Sequence, residues 1–281
     1  MEVVRTADEI IQASTAAQRE QKAIGFIPTM GALHNGHLSL IRRARQENDR
    51  VVVSIFVNPL QFGPSEDFER YPRMERKDAR MAEGEGTDLL FLPSEHELYP
   101  DGEPEPIDPG PKGRVLEGAS RPSYLGGLLA VVDRLFSLAV PDRAYFGEKD
   151  WQQLILVRWM AAVRHPGLEV VASPTVRERD GLAMSSRNSY LNAEQRAAAV
   201  CLYEALQGAK AMFDAGERDA RVLVAGMVKR LEAEPIAELD YAAVVDEETF
   251  EVFERIEGRA RALIAARIGE ARLIDNMRLG G

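Results

Sequence analysis

Residues 24–37 read IGFIPTMGALHNGH, and the fold is read outward from them. The apolar run Ile24, Gly25, Phe26, Ile27 has the character of a buried strand. Pro28 and Thr29 close it, and Met30, Gly31 and Ala32 turn the chain. Beyond His34 and His37, the residues Leu38, Leu40, Ile41 and Ala44 fall at helical spacing among Arg42, Arg43 and Arg45. The pattern is strand, tight loop, helix, with both histidines at the helix start. A helix N-terminus carries unpaired N–H groups and a partial positive charge, which suits a phosphate. Two imidazoles three residues apart face the same side, so the turn reads as a site for ATP phosphates. A capping role alone is the alternative. Zinc fits poorly, because the two-histidine zinc helix places its ligands four apart with a glutamate between, whereas Asn35 and Gly36 stand here.

The remaining chain extends the same alternation. A capping box at Thr6 and Glu9 opens a first helix reaching about Lys22. Residues 51–57, VVVSIFV, form a continuous apolar run typical of a buried parallel strand. It leads into Asn58, Pro59, Leu60 and Gln61, amides beyond a strand's carboxyl end, where open α/β sheets hold ligands. A charged helix over 73–83, a strand over 88–92, a helix over 127–139, a strand over 143–146, a helix over 151–163 and a strand over 169–172 follow. Five strands alternating with helices predict a Rossmann-like, doubly wound parallel sheet, an α/β fold. The proline- and glycine-dense stretch 93–122 is too long for a passive loop and is either functional or mobile. Past residue 175 the order changes to a turn at Asp180–Gly181, helices over 193–215 and 219–232, and strands over 240–245, 262–268 and 272–275. Two domains are expected: 1–175, and a smaller α+β domain over 176–281.

Composition narrows the function. A 281-residue chain with 45% hydrophobic residues is long enough for a large core. A net charge of −10 argues against a nucleic-acid surface. No run approaches the ~20 apolar residues of a membrane span. The N-terminus MEVVRTADEI lacks the basic start and apolar stretch of a signal peptide. The single cysteine, Cys201, cannot form an internal disulfide, and a cytoplasmic setting is expected. No Ser–His–Asp or Cys–His arrangement stands out.

The segments PTMGALHNGHLSL, FVNPLQFGPSEDFERYPR, FGEKDWQQL and PTVRERDGLAMSSRNSYL, in this order, closely resemble the pantothenate synthetase (pantoate–β-alanine ligase) family. The match runs over roughly the first 190 residues, and the remainder fits the family's C-terminal domain more loosely. The histidine motif by itself is shared with nucleotidylyltransferases and class I aminoacyl-tRNA synthetases. The resemblance implies ATP-dependent joining of (R)-pantoate to β-alanine through a pantoyl adenylate, with release of AMP and pyrophosphate. It implies that Met30, Gly31, Ala32, Leu33, His34, Asn35, Gly36 and His37 lie along ATP, with His37 catalytic and His34 beside it. Gly147, Glu148, Lys149 and Asp150 would form a second ATP segment, Lys149 on phosphate and Asp150 on ribose. An ion pair with Glu148 or Asp150 is the plainer role for Lys149.

On the same resemblance, the backbone of Val176 would meet adenine. Met184, Ser185, Ser186 and Arg187 would form a KMSKS-type phosphate loop, and Lys149 and Arg187 would join the histidines in catalysis. Gln61 and Gln153 would hold pantoate, with Gln61 near β-alanine, Asn58 as a companion and Arg121 near the carboxylates. Asn58 also fits a plain strand-end turn. Mg²⁺ accompanies ATP, with Asp78 at an acidic position of the family, although Lys77 beside it breaks the acidic pair. The C-terminal domain would cover the ATP site, and a homodimer is implied. One departure stands out: the family's usual RPxHF reads Arg121, Pro122, Ser123, Tyr124, Leu125. The rival readings are an adenylyl transfer to a phosphorylated substrate, which would need basic residues where Gln61 and Gln153 stand, and a non-catalytic nucleotide-binding regulator.

Overall fold

In the computed structural model, which describes residues 1–64 and 66–280, the chain divides into two compact units. The first comprises Met1–Glu148 and Gln152–Pro174, the second Lys149–Trp151 and Thr175–Gly281.

The first unit opens with a short strand, β1 (Glu2–Val4), and the helix α1 (Ala7–Arg19). Thr6 caps α1 with the expected box: its side chain accepts Glu9 N–H, and the Glu9 carboxylate accepts Thr6 N–H at 2.9 Å. β2 (Ile24–Thr29), α2 (Asn35–Glu47) and β3 (Arg50–Ile55) form the first βαβ unit. α3 (Glu75–Gly84) leads to β4 (Leu89–Phe91), and two single turns, α4 (Glu95–Leu98) and α5 (Glu117–Ser120), punctuate the long proline-rich connection. α6 (Tyr124–Ala139), β5 (Arg143–Gly147), α7 (Trp151–Arg164) and β6 (Glu169–Ser173) complete the unit.

All six strands are parallel, in the order β1-β4-β3-β2-β5-β6. The sequence pattern predicts five of them. β1 is the addition, pairing Val4 with Phe91 at the sheet edge. Chain order runs outward from β2 through β3 to β4, then jumps across β2 to β5. That reversal puts the topological switch point between β2 and β5, where the loop after Thr29 and the end of β5 at Gly147 emerge side by side. Burial explains the strands' composition: Ile27, Val51, Val53 and Leu90 are fully enclosed, packed on Leu38 and Ile41 of α2.

The stretch 93–122 is more structured than a plain loop. Gln152, at the start of α7 and almost fully buried, donates to Lys112 O (2.7 Å) and Val115 O (2.8 Å) and accepts Glu117 N–H (3.1 Å).

The second unit holds α8 (Ala193–Ala198), α9 (Cys201–Asp214) and α10 (Ala220–Glu232) against an antiparallel sheet of β7 (Ala237–Asp246), β8 (Ala260–Ile268) and β9 (Ala271–Leu279). Leu202, Leu206, Leu223 and Met227 pack on Val244, Ile264 and Ile268. Cys201 lies in this core, and burial pushes its thiol up to about 11, far from the reactive thiolate range. Among the described residues, no helix is long and apolar enough to cross a membrane.

Candidate active site

The loop between β2 and α2 is built around an internal anion. Thr29 Oγ1 donates to Ser54 O (2.8 Å) and accepts Gly31 N–H (3.1 Å), anchoring the turn to the neighbouring strand. Gly31 (φ +82°) and Ala32 (φ +49°) then adopt consecutive left-handed conformations. This directs the N–H groups of Ala32 and Leu33 inward, where both meet the Asp78 carboxylate at 2.9 Å. Asp78 comes from α3, 1% exposed. The acidic side chain expected to be a metal position thus holds the histidine loop by two charge-assisted bonds. Gly31 is needed for fit as well as φ, since a Cβ there would lie 2.9 Å from Ile55 Cγ2 and 3.1 Å from Asp78 Oδ2.

His34 is the N-cap of α2. Its Nδ1 accepts Gly36 N–H at 3.1 Å, and Nδ1 of His37 accepts His34 N–H at 3.3 Å. The two rings lie 4.1 Å apart, half-buried. Backbone amides only donate, so both Nδ1 atoms are acceptors and both neutral rings carry their hydrogen on Nε2. The pair is therefore capping and more: the cap consumes one nitrogen of each ring and fixes the other as a donor. Leu33 is buried in the core, Met30 and Gly36 are half-buried, and Asn35 is exposed at the first turn.

On the far side of β3, Asn58 caps the single turn Pro59–Gln61. Asn58 is fully buried, and its amide donates to Gly127 O (3.2 Å) and accepts from Tyr99 Oη (3.1 Å) and Leu60 N (3.3 Å). Burial, the largest influence, raises the Tyr99 phenol, so it stays a proton donor. Asn58 shapes the turn; Gln61 is the amide carried on it. Arg121 donates to Gln61 O at 2.9 Å and binds both oxygens of Glu66, at 2.7 and 2.5 Å. Gln153, on α7, accepts from Tyr124 Oη at 3.1 Å. Gln61, Arg121, Tyr124 and Gln153 thus form one cluster in the first unit.

In the second unit, Lys149 Nζ lies 3.6 Å from the Asp150 carboxylate, the plainer partner named from sequence. Its carbonyl accepts from Asn276 Nδ2 at 2.8 Å, and Asn276 Oδ1 accepts from Arg261 at 2.6 Å. Arg261 also stacks on Trp151, 3.5 Å from the ring centre. Neither Asn276 nor Arg261 carries a sequence signal, since each is a polar residue buried within a strand and meets Lys149 or Trp151 only through folding. The segment from Val176 to Met184 is a hairpin: Met184 N–H donates to Val176 O at 3.0 Å, and Gly181 (φ +97°) makes the expected turn. Ser185 then caps the turn Ser186–Tyr190, its Oγ accepting Arg187 N–H at 3.3 Å. Gly147 ends β5 and Glu148 begins the turn after it, both half-buried in the first unit.

Among the described residues, no group of three or more His, Cys, Asp or Glu side chains could hold a metal ion.

The histidine pair follows β2 at the switch point of the parallel sheet, and Gln61 and Gln153 are tied to the Arg121–Tyr124 pair in the same unit. The sequence profile described as pantoate-beta-alanine ligase matches residues 2–278. The chain belongs to the pantoate–β-alanine ligase family. Curated ligases of this family similar to it include pantothenate synthetases of Roseiflexus castenholzii (48% identical, covering 98% of both chains) and Thermotoga petrophila (46%, covering all of both). Its fold is similar to the crystal structure of pantothenate synthetase from Thermus thermophilus, with a TM-score of 0.94 and 44% identity over the whole of both chains. It is also similar to the pantoate-beta-alanine ligase of Francisella tularensis complexed with beta-gamma ATP and beta-alanine. There the TM-score is 0.82 and the identity 34%, covering 100% of this chain and 99% of that one.

Proposed function

We propose that this ligase joins (R)-pantoate to β-alanine at the expense of ATP, giving pantothenate, AMP and pyrophosphate. The observation that carries the reading is the histidine pair, capped on Nδ1 at the start of the helix after β2, in a chain that the family profile matches over residues 2–278. A pantoate carboxylate oxygen attacks the α-phosphorus, and the bond to the bridging oxygen of pyrophosphate breaks. The β-alanine amine then attacks the acyl carbon, the carbonyl-to-phosphate bond breaks, and AMP leaves while the amine loses a proton to solvent.

No protein nucleophile takes part, so the side chains act by position and charge. His34 and His37 donate from Nε2 to phosphate oxygens, with the loop amides of residues 30–37 beside them. Lys149, Ser185, Ser186 and Arg187 contribute charge and hydroxyls to the phosphates. Asp150 takes ribose hydroxyls, the Val176 backbone takes adenine, and Gly147, Glu148 and Met184 complete the ATP contacts. Gln61 and Gln153 receive pantoate, whose hydroxyls and carboxylate match amides that both donate and accept. Asn58 and Arg121 serve the same substrate indirectly, by holding the turn and the carbonyl of Gln61.

Magnesium belongs to this reading as a companion of the ATP phosphates. Among the described residues no group of three or more acidic, histidine or cysteine side chains is gathered to hold it, and each Asp78 oxygen already accepts a loop amide. A homodimer and a cytoplasmic setting are part of the proposal too, the latter supported by a chain whose single cysteine is buried and unpaired.

The test is AMP release by the purified protein with ATP and magnesium, with pantoate alone, with pantoate plus β-alanine, and with neither. Steady AMP only with both acids supports the ligase. Absence of pantoate dependence, both here and in ATP–pyrophosphate exchange, overturns it.

A further inference from the structure

The departure at Tyr124 lies against a residue of the pantoate reading, and this inference rests on that reading. Tyr124 opens α6, and its phenol oxygen donates to Oε1 of Gln153 at 3.1 Å. Its ring is held from the other side by the Arg121 guanidinium, 3.7 Å above the centroid. Arg121 cannot swing away: its side chain is 11% exposed, gripped by both Glu66 oxygens, 3.9 Å from Glu117, and bonded to the carbonyl of Gln61. One stacked pair therefore touches both substrate amides, Gln61 through its backbone and Gln153 through its side chain.

We propose that Tyr124 is the positioning residue of Gln153, capping its Oε1 so that the NH2 group is the one presented to an oxygen of the acid substrate. An unsupported glutamine can rotate its amide by half a turn and offer either a donor or an acceptor. A phenol hydrogen on Oε1 biases that choice: the phenol oxygen could also accept from a reversed NH2, but the Arg121 cation stacked on the ring makes the phenol the better donor and the poorer acceptor. The cation stacked on the ring draws electron density from it and strengthens the O–H as a donor. The selected substrate feature is an acceptor, a carboxylate or hydroxyl oxygen, at the Gln153 position. A phenol also does this without gaining charge across the neutral range, unlike an imidazole with its pKa of about 6.5.

The experiment is a double-mutant cycle on steady-state kinetics with Tyr124→Phe, Gln153→Ala and the pair, varying pantoate at saturating ATP and β-alanine, then varying ATP. Tyr124→Phe keeps the ring and its stack on Arg121 and loses only the O–H. Its pantoate KM is expected to rise about 5- to 10-fold with the ATP KM unchanged, as for loss of one hydrogen bond. In the Gln153→Ala background the same change should have little further effect, because the amide it orients is gone. Tyr124→His is expected to restore pantoate KM partly and to make it vary with pH around the imidazole's titration, a dependence not expected of the native enzyme. An unchanged pantoate KM in Tyr124→Phe, equal rises for pantoate and ATP, or full additivity with Gln153→Ala overturns the proposal. Native protein without pantoate-dependent AMP release would instead overturn the ligase reading on which it rests, before any variant is compared.

Discussion

The backbone N–H of His34 donates to Nδ1 of His37 at 3.3 Å, and this bond commits the Nδ1 edge of the His37 ring to the helix cap. Nδ1 belongs to the cap, and in the proposed reaction Nε2–H is the group that faces phosphate. A second proton on Nδ1 would set one N–H against another and undo the cap. The same logic holds for His34, whose Nδ1 accepts from Gly36. In the proposed reaction the pair would act as two donors fixed in direction by the helix they begin, a preorganised arrangement that would reorganise little as phosphate charge develops.

His37→Ala is accordingly expected to lower kcat by about 10²- to 10³-fold, as for loss of one preorganised donor. His37→Asn should recover little, since an Asn that accepts His34 N–H with its oxygen does not reach as far with its nitrogen. The check is kcat for AMP release, with circular dichroism to confirm the fold. A loss below about 10-fold in His37→Ala would remove His37 from the chemistry.

Asp78 separates two readings of one carboxylate. As a loop brace, its replacement by Asn leaves one acceptor oxygen and puts an NH2 against a loop amide. Asp78→Asn should then destabilise the first unit by about 1–3 kcal/mol with no ATP or magnesium present, the range for a buried unsatisfied group. Denaturant unfolding of the ligand-free variant measures it. Unchanged ligand-free stability combined with a raised magnesium requirement would instead favour metal ligation.

How much of this was legible depends on the distance between partners. The Thr6–Glu9 cap, the apolar β3 and the helix after His34 are local patterns, and they appear where the sequence puts them. β1 was missed because three residues with only Val4 buried offer no period to read. The helical stretch 193–215 breaks between α8 and α9 at Ala199 and Val200, both near helical dihedrals, so no glycine or proline marks the break. The stretch 93–122 holds single turns too short for amphipathic spacing. At the site, the histidines announce themselves, whereas the partners of Asn58, Asp78 and Arg121 lie 46 to 69 residues away in the most remote pairs. The family resemblance suggested ligand contact for all three; folding also gives each a backbone partner distant in sequence.

Gly127 is required by close approach. A Cβ on this α6 residue would stand 2.1 Å from Leu60 O, inside the turn that carries Gln61. Gly127→Ala must push that turn away. The expected outcome is a pantoate KM raised at least as far as by Tyr124→Phe, with pyrophosphate exchange reduced in proportion. Native kinetics in this variant would mean that the Gln61 turn tolerates displacement.

Asp133 gives an acid signature. Burial works to raise its carboxyl, but bonds from Arg164 and His165 overcome this and hold it below the ordinary value. A depressed carboxylate stabilises the fold above its unfolded pKa of about 3.9 and loses that contribution as pH falls through the folded value. Asp133→Asn should thus lower the melting temperature at pH 7, and the gap from the native protein should close as pH falls below about 4. A gap that stays constant with pH would show that packing, not charge, is what the substitution removes.

Asn276 tests how far Lys149 depends on its backbone being held. Asn276 Nδ2 donates to Lys149 O at 2.8 Å and is itself fixed by Arg261, so the carbonyl of a proposed phosphate lysine is tied to β9. Asn276→Ala removes the tie without touching the ammonium or Asp150. If Lys149 acts on phosphate, freeing its backbone should cut kcat about 5- to 20-fold, a loss of roughly one hydrogen bond's worth of positioning. The pantoate KM should not move. The decisive comparison is with Lys149→Ala: once the ammonium is gone, adding Asn276→Ala should change kcat little. Independent losses in the double variant would place the role of Asn276 in the packing of β9 rather than in presenting Lys149.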